Sequence, residues 1–364
     1  MSASEPGPES TSDAVPDAIA DARPDAALLM RAMHPDVRFG RDILARDLDL
    51  PGRGVLLTQP GPAESLPAAA RDRFDRVVMV ESLAAERLEA LAADLAGFDW
   101  VAGVGGGMTM DAAKFSAWRL GLPLVLAPSI ISVDASVTNT IAVRRGERIV
   151  YEGFVVAERI VADLALIAGA PARLNRAGVG DLLSIHTGLW DWGVGARAGR
   201  VGYDEGIAAR SRAVLEHLLL AADAVAAVSD EALELILRGY VEVNELCLLA
   251  GHSGPEEGSE HYLAYHVEAL TGRSFVHGEI IGLGTVLMAR LQGNDPGRVI
   301  AFLDRCGVAW RPADLGLDRA VLEEALAGLP AFVRRAGLAW SVADEADLGP
   351  AAVSGLLDGL DPAG

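Results

Sequence analysis

Three of the chain's seven histidines, His261, His266 and His277, fall within one stretch, 258–279, GSEHYLAYHVEALTGRSFVHGE. Neutral imidazole is a common ligand for zinc, iron and nickel, and a catalytic metal usually takes three protein ligands and keeps one position open. His261 and His277 are sixteen residues apart, too far to share one helix face. They converge only if a helix ends between them, and LTGRS supplies the break at Gly272. His277 then opens the next helix, HGEIIGLGTVLMARL. His266 follows His261 by five residues, roughly 140° around a helix, and so points elsewhere. Tyr265, at i+4, shares the face of His261. A third ligand must come from another segment. Asp181, opening an apolar helix in AGVGDLLSIHTGLWDW, ranks above His186, which stands five residues further on. Spacing alone leaves two readings open: a metal site, or histidines that cap helices and face solvent, with Asp181 an ordinary N-cap.

A second stretch with chemical potential is WVAGVGGGMTMDAAKFSA, 100–117. It runs from an apolar strand into a helix through Gly103, Gly105, Gly106 and Gly107. Glycines let a backbone approach a ligand closely, and a helix start offers unpaired N–H groups to a phosphate. The dinucleotide fingerprint G-x-G-x-x-G fails at Met108, and no Gly-Lys-Ser/Thr follows to make a nucleotide-triphosphate loop. Pyrophosphate binding and a plain tight turn both fit this run.

The elements that must position these residues divide the chain in two. From about 38 to 165, the apolar runs GVLLT, RVVMV, DWVAGVG and LPLVLAP alternate with helical stretches, ESLAAERLEALAADLAGF and MDAAKFSAWRLG. That alternation predicts a parallel sheet covered by helices on both faces. Beyond LALIAGAPARLNRAG the pattern is helical, with long stretches over 203–227 and 230–250. The expected organisation is a tail over 1–25, rich in Pro, Ser, Ala and Asp, an α/β domain with a Rossmann-like parallel sheet over 26–170, and an all-α domain over 171–364. The 364 residues suffice for two cores, and the 51% hydrophobic fraction suits a globular enzyme. A net charge of −20 argues against nucleic acid or an anionic membrane surface as partner. Cys247 and Cys306 are too few and too isolated for a disulfide framework or a thiolate zinc site. No apolar run reaches the length of a membrane span, so a cytoplasmic protein is the simplest expectation.

Taken in order, these segments resemble the superfamily of metal-dependent alcohol and polyol dehydrogenases that also contains 3-dehydroquinate synthase. GVGGGMTMDAAK is similar to its G-G-G-x-x-x-D-x-A-K, and APSIISVDASV, 127–137, to its P-T-x-x-S-x-D-A/G. APARLNRAGVGDLLS resembles the run that carries an Asp ligand, and GSEH with HGE resembles the two histidine motifs. By these motifs the branch it most resembles is that of the glycerol-1-phosphate dehydrogenases. The resemblance implies a dehydroquinate synthase-like fold, a homo-oligomer, and hydride transfer between NAD or NADP and a small polyol, ketone or phosphate ester. It implies one divalent metal, zinc ahead of iron or nickel, on Asp181, His261 and His277. It puts Gly105, Gly106 and Gly107 against the cofactor pyrophosphate, at the start of the helix bearing Asp111 and Lys114. Ser129 and Ser132 line the nicotinamide side, and Asp134 faces the substrate.

Three positions depart from the family's pattern. Tyr265 stands where relatives carry a proton-relaying histidine; it either holds the ligand helix against the substrate pocket or is core. Glu256 and Glu257 stand where the glycerol-phosphate enzymes commonly carry a base, and a phosphate dianion wants Arg or Lys; Arg273 is the nearest basic residue in sequence. Ser129 replaces threonine and keeps the hydroxyl. Gln59, near the expected adenosine ribose, is neither acid nor base and does not choose between NAD and NADP. Two alternatives accompany the dehydrogenase reading: an NAD-dependent, metal-dependent sugar-phosphate cyclase or lyase, and an inactive binding protein of the same fold. The cyclase branch uses several lysines and a Glu ligand, whereas Lys114 is the only lysine here.

Overall fold

The computed structural model describes residues 24–360 apart from 147; the tail expected over 1–25 lies, but for its last two residues, outside them. Six strands form one parallel sheet: β1 (Val37–Gly40), β2 (Gly54–Thr58), β3 (Arg76–Met79), β4 (Trp100–Gly105), β5 (Leu124–Pro128) and a late strand, Arg159–Asp163. Between β5 and that late strand lies an antiparallel hairpin, β6 (Ile141–Arg145) and β7 (Arg148–Glu152), which makes Arg159–Asp163 β8. The sheet order is β1-β8-β5-β4-β2-β3. Every residue of β2, β4 and β5 is buried, as apolar runs must be when helices cover both faces of a sheet. One face packs on the helices Ala85–Asp94 and Gly107–Leu120 through Leu88, Met110, Ala113 and Phe115. The other covers Ile43, Leu44, Leu48 and Leu66 around Trp100.

All the strands quoted from the sequence are present. The hairpin is an addition: Ile141 and Val143 of β6 are buried, Ile149 and Tyr151 of β7 are exposed, and the turn between the strands passes through Gly146 (φ 62°). The side chain of Asp163, at the end of β8, accepts from the backbone N–H groups of Asp42, Ile43, Leu44, Ala165 and Leu166. This one carboxylate fixes the chain on both sides of the strand end.

From Leu164 onward the structure is helical. The stretch expected as one helix over 203–227 is two, Glu205–Leu220 and Ala222–Ala226. The jog at Ala221 turns Ala222 and Val225 into the core. Helix Asp230–Ala250 lies where the sequence places it, capped by the Ser229 side chain. No helix among the described residues is long and apolar enough to cross a membrane.

Candidate metal and cofactor site

The cofactor side is set by where neighbouring strands part company. The connection from β2 leads to β3 at one edge, while that from β4 leads to β5 on the other side. A crevice therefore opens between the carboxyl ends of β2 and β4, the position at which open parallel sheets bind ligands. Thr58 and Gln59 form one wall, Gly105, Gly106 and Gly107 the other. Gly106 is the N-cap of helix Gly107–Leu120 and brings no side chain to cap it. A Cβ there would stand 2.8 Å from the tip of Ile130. The Gln59 amide is engaged within the protein, accepting from Thr109 Oγ1 at 3.2 Å.

Asp111 and Lys114 lie further along that helix and are both buried. They form an ion pair at 2.8 Å. Lys114 Nζ also donates to the Thr140 carbonyl at 2.7 Å, and Asp111 accepts from Ala142 N–H. The pair thus ties the glycine helix to β6. Ser129 follows β5 directly, its N–H donating to the Gly105 carbonyl at 2.8 Å. Ser132, three residues on, accepts through its carbonyl from Gly278 N–H. The 129–134 segment therefore runs from the glycine loop to the ligand candidates Asp181 and His277.

Asp181, His261 and His277 come together from three short-range contexts. Asp181 is the third residue of helix Val179–Leu183, His261 lies in the first turn of helix Ser259–Thr271, and His277 opens helix His277–Gln292. Gly272, left-handed at φ 63°, ends the first histidine helix, as the sequence requires. Gly180 and Gly278 let the elements meet. A Cβ on Gly180 would lie 2.3 Å from Gly278 Cα, and one on Gly278 would lie 1.7 Å from the Ala177 carbonyl oxygen. Only two glycines permit this backbone contact, and each is the immediate neighbour of a ligand candidate.

Ligand atoms of the three residues all lie within 4.8 Å of one another. His277 Nε2 is 3.2 Å and His261 Nε2 4.0 Å from Asp181 Oδ1. That oxygen is buried and has no hydrogen-bond partner, although the His277 ring stands within ion-pair distance. Its sister Oδ2 accepts from Asp134 N–H at 3.1 Å, which shows that Asp181 is no N-cap of its own helix. His261 Nδ1 faces Glu260 Oε1 at 2.8 Å, leaving Nε2 to the cluster. Glu260 in turn accepts from Gly258 N–H and from Thr187 Oγ1. An orphaned carboxylate oxygen beside two imidazole nitrogens, one ring oriented by a carboxylate, fits a divalent cation.

Electrostatics agree with that fit. Burial opposes charge on His261, but Glu257, Glu260 and Asp181 outweigh it and push its pKa up to about 9. Burial also opposes charge on His277, which Asp181 nevertheless raises. Burial and then the Asp181 charge push Asp134 up to about 7.

The other candidates sort out cleanly. His266 Nδ1 contacts the Ala325 carbonyl at 2.8 Å and its ring stacks on Phe332, so it belongs to the packing of helix Arg319–Ala336. His186 Nε2 meets the Asn294 carbonyl. Arg273 donates to the carbonyls of Leu315 and Gly316. Tyr265 lies beside His261, ring centroids 6.1 Å apart, and its hydroxyl donates to Glu257 Oε1 at 3.0 Å. It also pairs with the Tyr151 phenol from β7.

Residues 63–171 match the family model described as iron-containing alcohol dehydrogenase. The chain is 30% identical over 290 residues to a glycerol-1-phosphate dehydrogenase of Halorubrum lacusprofundi, covering 77% of this chain and 82% of that protein. The chain belongs to the iron-containing alcohol dehydrogenase superfamily. A second relative, a glycerol-1-phosphate dehydrogenase of Methanothermobacter thermautotrophicus, is 29% identical over 289 residues, covering 78% of this chain and 83% of that one. Among solved structures, a probable glycerol dehydrogenase from Sinorhizobium meliloti 1021 superposes with a TM-score of 0.67 at 24% identity, over 90% of this chain and 95% of that one. Glycerol dehydrogenase from Schizosaccharomyces pombe gives 0.70 at 19% identity, over 90% of this chain and 88% of that one. These structures share the superfamily's fold. As a member, the chain is an oxidoreductase of the metal-containing alcohol dehydrogenase kind.

Proposed function

We propose that the protein transfers hydride between NAD or NADP and a small polyol or polyol phosphate, with Asp181, His261 and His277 holding one zinc ion. The observation that carries this reading is the unpartnered Asp181 Oδ1 beside two imidazole nitrogens, joined through residues 129–134 to a glycine turn at a sheet crevice. The α/β part, 26–170, binds the cofactor and the helical part, 171–364, binds the metal. In this reading the chain is cytoplasmic and assembles as a homo-oligomer.

A bound divalent cation supplies Lewis-acid polarisation of a substrate oxygen. The protein's own groups do the rest. Glu260 fixes the His261 tautomer so that Nε2 faces the cluster. Gly105, Gly106 and Gly107 admit the cofactor pyrophosphate to the uncapped start of their helix. Asp111 and Lys114 support the cofactor side by anchoring that helix to β6, and Ser129 and Ser132 line the nicotinamide end. Asp134, whose backbone N–H donates to Asp181 Oδ2, takes or returns the hydroxyl proton. Tyr265 positions the His261 helix against Glu257.

The test is purified protein loaded with zinc, iron or nickel, offered NADH and NADPH with a panel of small ketones, polyols and their phosphates. Nicotinamide absorbance should change with at least one substrate and fall to background in Asp181→Ala. No turnover in any combination, together with no cofactor-induced thermal shift, sinks the proposal.

A further inference from the structure

Residues 129–140 join β5 to β6, and the first half of this connection is pinned to both sides of the site. At the cofactor end, Ser129 N–H donates to the Gly105 carbonyl at 2.8 Å. The Ile130 and Val133 side chains cover Gly106 and Gly107, where an added Cβ would stand 2.8 and 3.0 Å from them. At the metal end, the Ser132 carbonyl accepts from Gly278 N–H, the residue after His277, and Asp134 N–H donates to Asp181 Oδ2. Val133 on the glycine turn and Asp134 on a ligand candidate are thus adjacent in the chain. Any movement of this connection is felt on both sides.

One side chain from the helical part holds the middle of the connection. The Ile131 carbonyl lies against Gly178, where an added Cβ would stand 2.1 Å from its oxygen. Gly178 is the N-cap of the helix that bears Asp181. Tyr240, buried on helix Asp230–Ala250, places its hydroxyl between the two, donating to the Ile131 carbonyl at 2.9 Å and reaching the Gly178 carbonyl as well. A phenol has a single proton to donate, and here two backbone carbonyls share it, one from each part of the chain. One turn along the same helix, Asn244 Nδ2 donates to Asn139 Oδ1 at 3.2 Å, and Asn139 Nδ2 donates to the Val155 carbonyl. The helix therefore fastens the connection at two places. The Tyr240 ring accounts for the packing; its hydroxyl adds a link that packing alone does not require.

We propose that Tyr240 is a positioning residue: by clamping Ile131 to Gly178 it sets the glycine turn against the Asp181 helix, so that cofactor and metal bind with positive coupling. This rests on the dehydrogenase reading above, which supplies the two ligands. Each of them favours the one arrangement in which both ends of the connection are seated, so the second binds to a connection already set. The coupling exists only with both bound. A change at the glycine turn leaves the metal affinity of the cofactor-free protein as it was. Tyr240 touches neither ligand and acts through the backbone of residues 129–134 alone.

Binding at equilibrium tests this without turnover. Zinc affinity is measured on the full chain by chelator competition, with and without saturating NAD+ or NADP+, and nucleotide affinity by calorimetry on zinc-free and zinc-loaded protein. In the wild type the nucleotide should raise zinc affinity about fivefold or more, and zinc should raise nucleotide affinity by the same factor, as linkage requires. Tyr240→Phe keeps the ring and should bring that factor to about twofold or less. Val333→Ala, a core truncation in helix Arg319–Ala336, controls for lost stability: its melting temperature should fall and its coupling factor should stay at the wild-type value. Where Tyr240→Phe does not fold, Asn244→Ala takes its place and should lower the factor in the same direction. Independent binding of zinc and nucleotide in the wild type overturns the inference and leaves the dehydrogenase reading intact, as does a wild-type factor in the folded Tyr240→Phe protein. Binding of neither zinc nor nucleotide defeats the dehydrogenase reading itself.

Discussion

Glycine builds both sides of the site, but to opposite ends. At the metal side, Gly180 and Gly278 bring one backbone against another, with an added Cβ on Gly278 only 1.7 Å from a carbonyl oxygen. At the cofactor side, an added Cβ on Gly106 would meet the tip of the Ile130 side chain. In one place glycine lets backbone touch backbone; in the other it keeps a helix start clear beside a movable side chain, where the proposed function puts the cofactor. The first contact is part of the fold, and the second matters only when the ligand arrives. Substitutions should therefore separate stability and metal retention from cofactor affinity.

The largest effect is expected at Gly278→Ala. The neighbouring backbone cannot rotate away as a side chain does, so helix His277–Gln292 must shift from Ala177 and carry His277 with it. Destabilisation of about 3 kcal/mol or more and loss of stoichiometric metal are expected, read by melting temperature and metal analysis. Retention of both would show that the glycine contact does not set the ligand geometry.

Glu260→Gln acts next. It keeps the size of the side chain but weakens the acceptor that orients His261, and it leaves one oxygen to serve Gly258 N–H, Thr187 and His261. Metal affinity should drop about 10–100-fold, measured by chelator competition, with far less change in melting temperature than at Gly278. Equal affinity in wild type and variant would assign Glu260 to packing alone.

Gly106→Ala belongs to the other side of the comparison. Its backbone, φ −91° and ψ −170°, is open to any residue, and the Ile130 tip can give. The expected change is a rise of about three- to tenfold in cofactor KM, by crowding the helix start to which the proposed function assigns the pyrophosphate, with metal content unchanged. A loss of metal in this variant would break the separation between the two sides.

The same contrast explains what the sequence disclosed. Strands β2 to β5 were legible because burial on both faces forces continuous apolar runs such as GVLLT, and Gly272 was legible as the break that lets His261 and His277 converge. The exclusion of His266 followed from helical angle alone. Less local features escaped. That Glu260 would orient His261, and that Tyr151 would cross from β7 to Tyr265, depends on contacts between residues far apart in the chain or on a rotamer that spacing does not encode. Asp111 and Lys114 illustrate the limit from the other direction: the motif marks them for the cofactor side, and only packing reveals that they bond to each other and to β6. Gly180 and Gly278 were visible as letters next to ligands, but their mutual contact has no sequence signal.

The smallest expected effect concerns how the His261 helix is held at its start. Gly258 has no side chain with which to cap that helix, and Asp191 does so from outside, its Oδ2 accepting from Ser259 N–H at 2.7 Å while Oδ1 accepts from Val342 N–H at 3.0 Å. Burial, and then the charge of Glu260, push the Asp191 pKa up to about 6 from an ordinary 3.8. The folded protein thus keeps a proton that the unfolded chain releases near 3.8. Asp191's contribution to stability is complete below that value, declines as pH rises through the interval, and is lost above about 6. The swing is at most on the order of 3 kcal/mol. Asp191→Asn removes the ionisation and one of the two acceptors, so it should cost about 1 kcal/mol of hydrogen bonding. The wild type should therefore outmelt the variant below about pH 4, and the difference should shrink and reverse as pH rises towards 6. A gap that instead widens with pH would mean that the ionised Asp191 is the stabilising form, and that its two backbone donors outweigh both burial and Glu260.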